Sequence, residues 1–191
     1  NFMPKSSKFG KGLIVLPLLV LLLACEKEQS TDAAIGAQGN TPATEATILA
    51  NANVRKELNL SDQADFDDAR RGLIAAPTSL EILGPEGSPV WDMPSYDFIQ
   101  GEAPDTVNPS LWRQATLNNN HGLFEVTDGV YQLRGFDLSN MSIIEGQTGW
   151  IIVDPLTTKE TAAAAIAFAK KHLGDRPISA IIFTHSHIDH F

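Results

Sequence analysis

The sequence is poor in cysteine and in basic residues, and both shortages exclude classes of protein. A single cysteine among 191 residues allows no internal disulfide, so a disulfide-stabilised scaffold is excluded. Acidic residues outnumber Lys and Arg by 23 to 14, which gives a formal net charge of -9. Because nucleic-acid binding needs a basic face, nucleic acid is excluded as a partner. The length and the 43% hydrophobic content suit one globular domain of ordinary size.

The sequence also lacks an apolar run long enough to span a membrane. The longest run, residues 13–24, has 12 residues, whereas a membrane-spanning helix needs about 20. Lysines precede this run, and a short apolar run after a basic start is typical of a secretory signal. We interpret residues 1–24 as a signal peptide, with Met3 as the expected start of translation.

The only cysteine lies where such a signal ends. The sequence Leu22-Leu23-Ala24-Cys25 resembles a bacterial lipobox, in which the signal is cut before a cysteine that then carries a lipid. The alternative is an ordinary signal peptide with a cysteine there by chance. We expect an exported lipoprotein, located in the periplasm or outer membrane and anchored to the membrane at Cys25. Glu26 favours the outer membrane slightly.

The rest of the chain divides by composition. Residues 25–47 lack aromatic side chains and are rich in small and polar residues, which predicts a flexible tether. Residues 48–115 contain a stretch rich in Gly and Pro and are predicted to form an N-terminal arm. Residues 116–191 begin the main domain, and the chain reads as truncated after Phe191 before this domain is complete.

Strand and helix signals alternate from residue 123 onward. Residues 124–126 and 130–133 flank a turn ending in Gly129, and residues 141–145 and 150–154 form a second predicted hairpin. A helix follows, with Thr157 and Glu160 as a predicted capping box and Gly174 as its end. Residues 178–183 are predicted to form a buried strand. The fold class is therefore α/β, with a mixed sheet covered by helices.

Four metal-capable side chains follow that last strand: His185, His187, Asp189 and His190. Residues two apart in an extended segment point the same way, so His185 and His187 could bind one ion together. Asp189 and His190 could then face a second ion. Imidazole and carboxylate groups suit zinc, and four ligands are too few for two ions. A metal-free surface cluster and an adventitious single-metal site are the alternatives.

Other polar residues allow more than one interpretation. His172, near a helix C-terminus, is interpreted as structural. His121 follows three asparagines and is a loop residue or a substrate contact. Asp154 either orients a metal ligand or ends a strand in a turn before Pro155. Trp112 and Arg113 are interpreted as packing and surface residues, although Arg113 could meet an anionic group.

The motif from Thr184 to His190 resembles that of the metallo-beta-lactamase superfamily. Further stretches resemble the zinc-dependent alkylsulfatases of that superfamily, and the resemblance extends over residues 48–191. These stretches are Asp67-Asp68-Ala69-Arg70-Arg71-Gly72, residues 108–114, Leu117-Asn118-Asn119, residues 121–126 and residues 134–141. The implied fold is the αβ/βα sandwich of the superfamily, with only its first part present.

The resemblance implies a zinc-dependent sulfuric ester hydrolase that cleaves linear alkyl sulfate surfactants, such as dodecyl sulfate, to an alcohol and sulfate. It assigns His185 and His187 to one zinc ion and Asp189 and His190 to a second, with the remaining ligands outside this chain. It also implies a homodimer for the complete protein, and we expect this chain alone to be inactive. The alternatives are another hydrolase of the superfamily and an inactive metal-binding lipoprotein.

The lipobox interpretation makes one prediction. Replacing Cys25 with serine should abolish incorporation of a labelled fatty acid in a bacterial host, because the thiol that accepts the lipid is lost. Hydrolytic activity of the complete protein should be unchanged, since the substitution lies far from the histidine motif in sequence. Continued labelling of the Cys25→Ser protein would end the lipobox interpretation.

Overall fold

The computed structural model describes residues 41–191. The predicted signal peptide, Cys25 and residues 25–40 of the predicted tether lie outside this part of the chain. Residues 42–191 form one compact unit, and the boundary predicted between residues 115 and 116 falls within a helix of it. No helix among the described residues is long and apolar enough to cross a membrane.

Four α-helices and eight strands make up the described chain. The helices are α1 (Glu45–Glu57), α2 (Ala64–Arg70), α3 (Pro109–Asn118) and α4 (Lys159–Leu173). The strands are β1 (Leu73–Ala75), β2 (Glu81–Leu83), β3 (Pro89–Asp92), β4 (Gly122–Thr127), β5 (Val130–Arg134), β6 (Met141–Glu145), β7 (Trp150–Val153) and β8 (Ile178–Ile182). Short 3-10 helices span Pro94–Tyr96 and Ile188–His190.

Six of the strands form one mixed sheet in the order β1-β4-β5-β6-β7-β8. Neighbouring strands are antiparallel except β7 and β8, which run parallel and are connected through α4. Both predicted hairpins are confirmed. Gly129 has a φ of 71° in the β4–β5 turn, a left-handed conformation that glycine adopts without steric cost.

The core lies between one face of the sheet, α4 and the β2–β3 hairpin. Its largest fully buried side chains are Trp150 and Phe136. Phe136 packs against Phe168 of α4 with ring centroids 5.4 Å apart. Alanines 165 and 169 of α4 are completely buried, which lets the helix lie close to the core.

The N-terminal elements differ from the sequence prediction. Residues 45–47, predicted as the end of the tether, form the first turn of α1. Asn51 of this helix is buried and donates to the Asp105 carbonyl at 2.8 Å, which supplies a tertiary anchor that composition does not reveal. In α2, the N-cap residue is Gln63, and the Asp62 carboxylate accepts from the Ala64 amide at 2.9 Å.

Two further predictions need correction. Residues 178–183 are not a buried strand, since all five residues of β8 are exposed. Strand β8 is the edge of the sheet and pairs only with β7, which explains its exposure. The capping box of α4 is formed by Thr158 and Thr161 rather than by Thr157 and Glu160, and the helix ends at Gly174 as predicted.

The buried carboxylate of Asp137 explains the shift of the capping box by one residue. It accepts hydrogen bonds from the Leu138 amide at 2.6 Å and from the Thr157 amide and hydroxyl at 2.9 and 2.8 Å. The Thr161 hydroxyl adds a fourth at 2.5 Å. Thr157 therefore donates to Asp137, and Thr158 caps the helix. Asp137 joins the loop after β5 to the start of α4.

Replacing Asp137 with alanine should lower the free energy of unfolding by about 3 kcal/mol, because four donors lose a charged acceptor in a buried site. Chemical denaturation measures this loss. The matched control is Asp175→Ala: Asp175 also contacts α4, through Lys170 at 2.7 Å, but is 79% exposed. This control should stay within about 0.5 kcal/mol of the original protein. Equal effects of the two substitutions would contradict the role given to Asp137.

Candidate metal centre

The histidine motif lies at the edge of the sheet where β7 and β8 both end. Because these two strands run parallel, their C-terminal ends meet at that edge. Asp154 directly follows β7, and Thr184 follows β8 by two residues. The last residues turn back in a 3-10 helix, in which the His190 amide donates to the His187 carbonyl at 3.0 Å. Polar side chains from two strand ends are thereby brought to one place.

Asp154 is the buried carboxylate that connects these two strand ends. Its oxygens accept from the Thr184 amide and hydroxyl, both at 2.8 Å, and its Oδ2 lies 2.8 Å from Nδ1 of His190. Its φ of 56° is unusual for a residue with a side chain. Aspartate tolerates this left-handed conformation better than most residues. Asp154 thus lies directly after the end of β7 and also holds the ring of a motif histidine.

The contact with Asp154 changes the pKa of both partners. Burial raises the pKa of Asp154, but the hydrogen bonds from Thr184 and His190 outweigh it and leave that pKa below the ordinary value. The hydrogen bond to Asp154 raises the pKa of His190 against the opposing effect of burial, and the charges of Asp189 and Asp154 add to the increase. The hydrogen bond to Asp154 therefore favours a proton on Nδ1 of His190, while Nε2 faces the Asp189 carboxylate.

The four motif side chains form two donor pairs with the same separation. Nε2 of His185 lies 3.1 Å from Nδ1 of His187. Nε2 of His190 lies 3.1 Å from Oδ2 of Asp189. Two ligands about 2.0–2.1 Å from a tetrahedral zinc ion are themselves about 3.3 Å apart. Each pair therefore fits one edge of a zinc coordination shell in both spacing and donor type.

The two pairs lie side by side. The rings of His185 and His190 have centroids 4.2 Å apart, and the Thr184 hydroxyl lies 2.9 Å from Nδ1 of His185. Within residues 41–191, no three His, Cys, Asp or Glu side chains are arranged to hold a single ion. His185 and His187 are exposed, and Asp189 and His190 are partly buried. The two donor pairs thus lie next to each other at one edge of the sheet.

The other residues noted in the sequence have separate environments. His172 packs against Phe168 of α4 with ring centroids 4.6 Å apart. Arg113 pairs with Asp65 at 2.9 Å, which agrees with the interpretation of Arg113 as a packing and surface residue. Trp112 donates to the Gly101 carbonyl at 3.0 Å. His121, just before β4, contacts the Asn119 carbonyl through Nδ1 at 3.1 Å.

Sequence reasoning missed two residues that support the motif. The buried Ser139 donates its hydroxyl to the Asp189 carbonyl and so fixes the turn that carries the second donor pair. Thr184 belongs to the motif, but nothing in the sequence predicts that its hydroxyl bridges Asp154 and His185. A serine hydroxyl that contacts a residue 50 positions away has no local sequence signature.

Comparisons with known proteins relate the motif region to a known family. The family model of the metallo-beta-lactamase superfamily matches residues 134–191, which include the whole motif. The chain is 53% identical over 152 residues to a linear primary-alkylsulfatase of Pseudomonas sp., covering 78% of this chain and 23% of that protein. It is 49% identical over 186 residues to an (R)-specific secondary-alkylsulfatase of Pseudomonas sp., covering 97% of this chain and 28% of that protein.

A solved structure extends the similarity to the fold. The stereoselective inverting sec-alkylsulfatase Pisa1 from Pseudomonas sp. superposes with a TM-score of 0.74 at 52% identity. The match covers 79% of this chain and 24% of that structure. The predicted fold class, the first part of an αβ/βα sandwich, is confirmed by this match. The chain spans about a quarter of the length of the relatives that it matches.

The contact between Asp154 and His190 can be tested in metal-depleted protein. Replacing Asp154 with alanine should lower the pKa of His190 towards its ordinary value, because the hydrogen bond and the negative charge stabilise the protonated imidazole. Imidazole resonances followed by NMR across a pH titration measure this change. The control, Asp128→Ala in the β4–β5 turn, should leave the His190 pKa unaltered. An unchanged His190 pKa in Asp154→Ala would disprove the contact.

Proposed function

Because the chain belongs to the alkylsulfatases of the metallo-beta-lactamase superfamily, we propose that the protein hydrolyses linear alkyl sulfate esters to an alcohol and inorganic sulfate. This proposal rests on two pairs of possible metal ligands in a chain about 50% identical to alkylsulfatases. The two ligand atoms within each pair are 3.1 Å apart. The substrate named for the relatives is assigned here by similarity, while the donor geometry supports a metal-assisted reaction.

The proposed cofactor is a pair of zinc ions. His185 and His187 would hold one ion, and Asp189 and His190 the other. Four donors cannot complete two coordination shells, so the remaining ligands would come from residues outside these 191. The 191-residue chain alone is accordingly proposed to be inactive.

Hydrogen bonds with Asp154 and Thr184 orient two of the proposed ligands. Asp154 holds Nδ1 of His190, and the Thr184 hydroxyl contacts Nδ1 of His185, so each ring presents its Nε2. Such outer hydrogen bonds fix the ring orientation and commonly contribute 10–100-fold to metal affinity. Zinc, when bound, would neutralise negative charge on the sulfate group and lower the pKa of a water molecule.

Export and membrane anchoring are proposed separately. They rest on the signal-like residues 1–24 and on Cys25, all outside the described structure. A surfactant substrate is encountered outside the cytoplasm, which is consistent with an exported enzyme. A homodimer is proposed only from the family resemblance.

The test uses a protein in which this chain is continued to the length of its relatives. Replacing His187 with alanine should remove most of the zinc, measured by elemental analysis, and most of the sulfate released from dodecyl sulfate. One ion would lose a direct ligand. The matched control is His172→Ala, an exposed histidine on α4, which should retain both metal and activity. Full zinc content in His187→Ala would refute the ligand assignment.

The substrate is tested with the unaltered protein. Release of sulfate from dodecyl sulfate, lost with a chelator and restored by zinc, is the expected result. Zinc-loaded protein that releases no sulfate, but cleaves a lactam, thioester or phosphodiester, would replace the proposal with another hydrolase of the superfamily. Protein that holds zinc and hydrolyses none of these would favour an inactive metal-binding lipoprotein.

A further inference from the structure

A cavity of about 520 Å³ lies between the N-terminal elements and the sheet. Its volume falls in the range of about 300–1,000 Å³ that is typical of small-molecule sites. None of the four motif side chains lines it. Its apolar wall comes from the β3 region and α3. The side chains of this wall are Trp91, Met93, Tyr96, Ile99, Ala115 and Leu117.

The cavity and the motif share one edge of the sheet. Gly122 at the start of β4 pairs with Arg134 at the end of β5, and β6 begins beside that end. The cavity reaches Arg134 and Gly135, at the β5 end of this edge. The motif follows β8 at the same edge, and its last turn brings His190 back to Asp154 at the end of β7. Strands β5 and β7 are two spacings apart, so Asp154 and the His190 ring that it contacts lie roughly 10 Å from the β5 end of the cavity.

One loop connects the two sites directly. Residues 135–140 join β5 to β6, and Leu138 and Asn140 of this loop line the cavity. Between them, Ser139 donates to the carbonyl of Asp189 in the motif. Leu138 is 78% exposed, although it is a large apolar side chain. It therefore offers an uncovered apolar surface between the cavity and the motif.

The charged groups at the cavity have partners elsewhere. Asp65 pairs with Arg113, and Asp68 pairs with Arg71. Asp137 directs its carboxylate to Thr157 and Thr161 at the start of α4. The Arg134 guanidinium group donates to the Gln132 side chain at 2.6 Å and lies over the Phe124 ring at 4.2 Å. Apart from these groups and four asparagines, the side chains that line the cavity are apolar, which suits a hydrocarbon rather than a second ionic group.

The wall near β5 is also rigid. The Trp91 indole donates to the Gly135 carbonyl at 2.6 Å. Gly135 has a φ of 76°, and a Cβ atom there would lie 2.4 Å from the Cβ of His121. Only glycine fits this close approach, so the loop, His121 and Trp91 hold one fixed arrangement.

We propose that this cavity binds the alkyl tail of the sulfate ester while the sulfate group lies at the histidine motif. The inference rests on the proposed function and deepens it: the cavity lined by Ala115 and Leu117 determines how long a tail is preferred. Leu138 provides the apolar surface along which the tail passes from the motif to the cavity. Each methylene buried in the cavity contributes roughly 0.8 kcal/mol, or about fourfold in affinity.

The test compares dodecyl sulfate with butyl sulfate, both below their micelle concentrations. Ala115→Phe places a ring in the cavity, and Ala167→Phe makes the same change on the exposed side of α4. Calorimetry on metal-depleted, full-length protein should show dodecyl sulfate binding weakened by about tenfold or more in Ala115→Phe, with butyl sulfate changed by less than about twofold. Ala167→Phe should bind both ligands as the unaltered protein does.

A second variant tests the cavity in case Ala115→Phe does not fold. Tyr96 is 43% exposed, so Tyr96→Ala should fold, yet it removes part of the apolar wall. It should weaken dodecyl sulfate binding by a few-fold and leave butyl sulfate unaffected. In zinc-loaded protein, both cavity variants should raise KM for dodecyl sulfate more than they lower kcat.

The outcomes separate the two proposals. Protein that binds dodecyl sulfate through the cavity but releases no sulfate would overturn the proposed function and keep the cavity as an apolar tail site. Protein that hydrolyses dodecyl sulfate normally in both Ala115→Phe and Tyr96→Ala, with unchanged affinity, would overturn the cavity assignment and keep the proposed function.

Discussion

A buried carboxylate at the end of β7 organises the proposed metal centre. Asp154 accepts three hydrogen bonds from Thr184 and His190, which belong to the segment after β8. A buried charge is costly unless it is paired and hydrogen-bonded, so these donors are held to it. The orientation of His190 follows directly, and that of His185 follows through the Thr184 hydroxyl. Asp154 adopts a left-handed backbone conformation, which costs energy for a residue with a side chain. This conformation directs its carboxylate towards the end of β8.

A second carboxylate fixes the frame around that centre. Asp137 ties the loop after β5 to the start of α4, and the neighbouring Ser139 holds the turn that carries Asp189. The donors are therefore positioned by strand ends and a short hydrogen-bonded loop rather than by a mobile segment. The same loop forms part of the cavity, which connects the proposed metal donors to the proposed tail site. Sites held on such rigid elements keep their geometry with small error.

Local signals in the sequence were sufficient for the elements that local chemistry determines. The two hairpins were predicted from alternating residues around tight turns, and α4 from its run of alanine and its terminal Gly174. The errors have tertiary causes. The capping box was misplaced because Asp137, 20 residues earlier, takes Thr157. Strand β8 was predicted as buried because its residues are apolar, yet burial depends on what covers an edge strand.

For the candidate site, too, the sequence determined one part and the tertiary structure another. The sequence alone determined which donors are available, since His185, His187, Asp189 and His190 occur within six residues, and their spacing predicted two pairs. Their order also carried the resemblance that the comparisons confirmed. Only the tertiary structure decided which carboxylate supports His190, because Asp154 is 36 residues away and reaches it through the parallel pairing of β7 and β8. It also decided that the apolar cavity and the motif share one edge, because that edge is assembled from the ends of five strands.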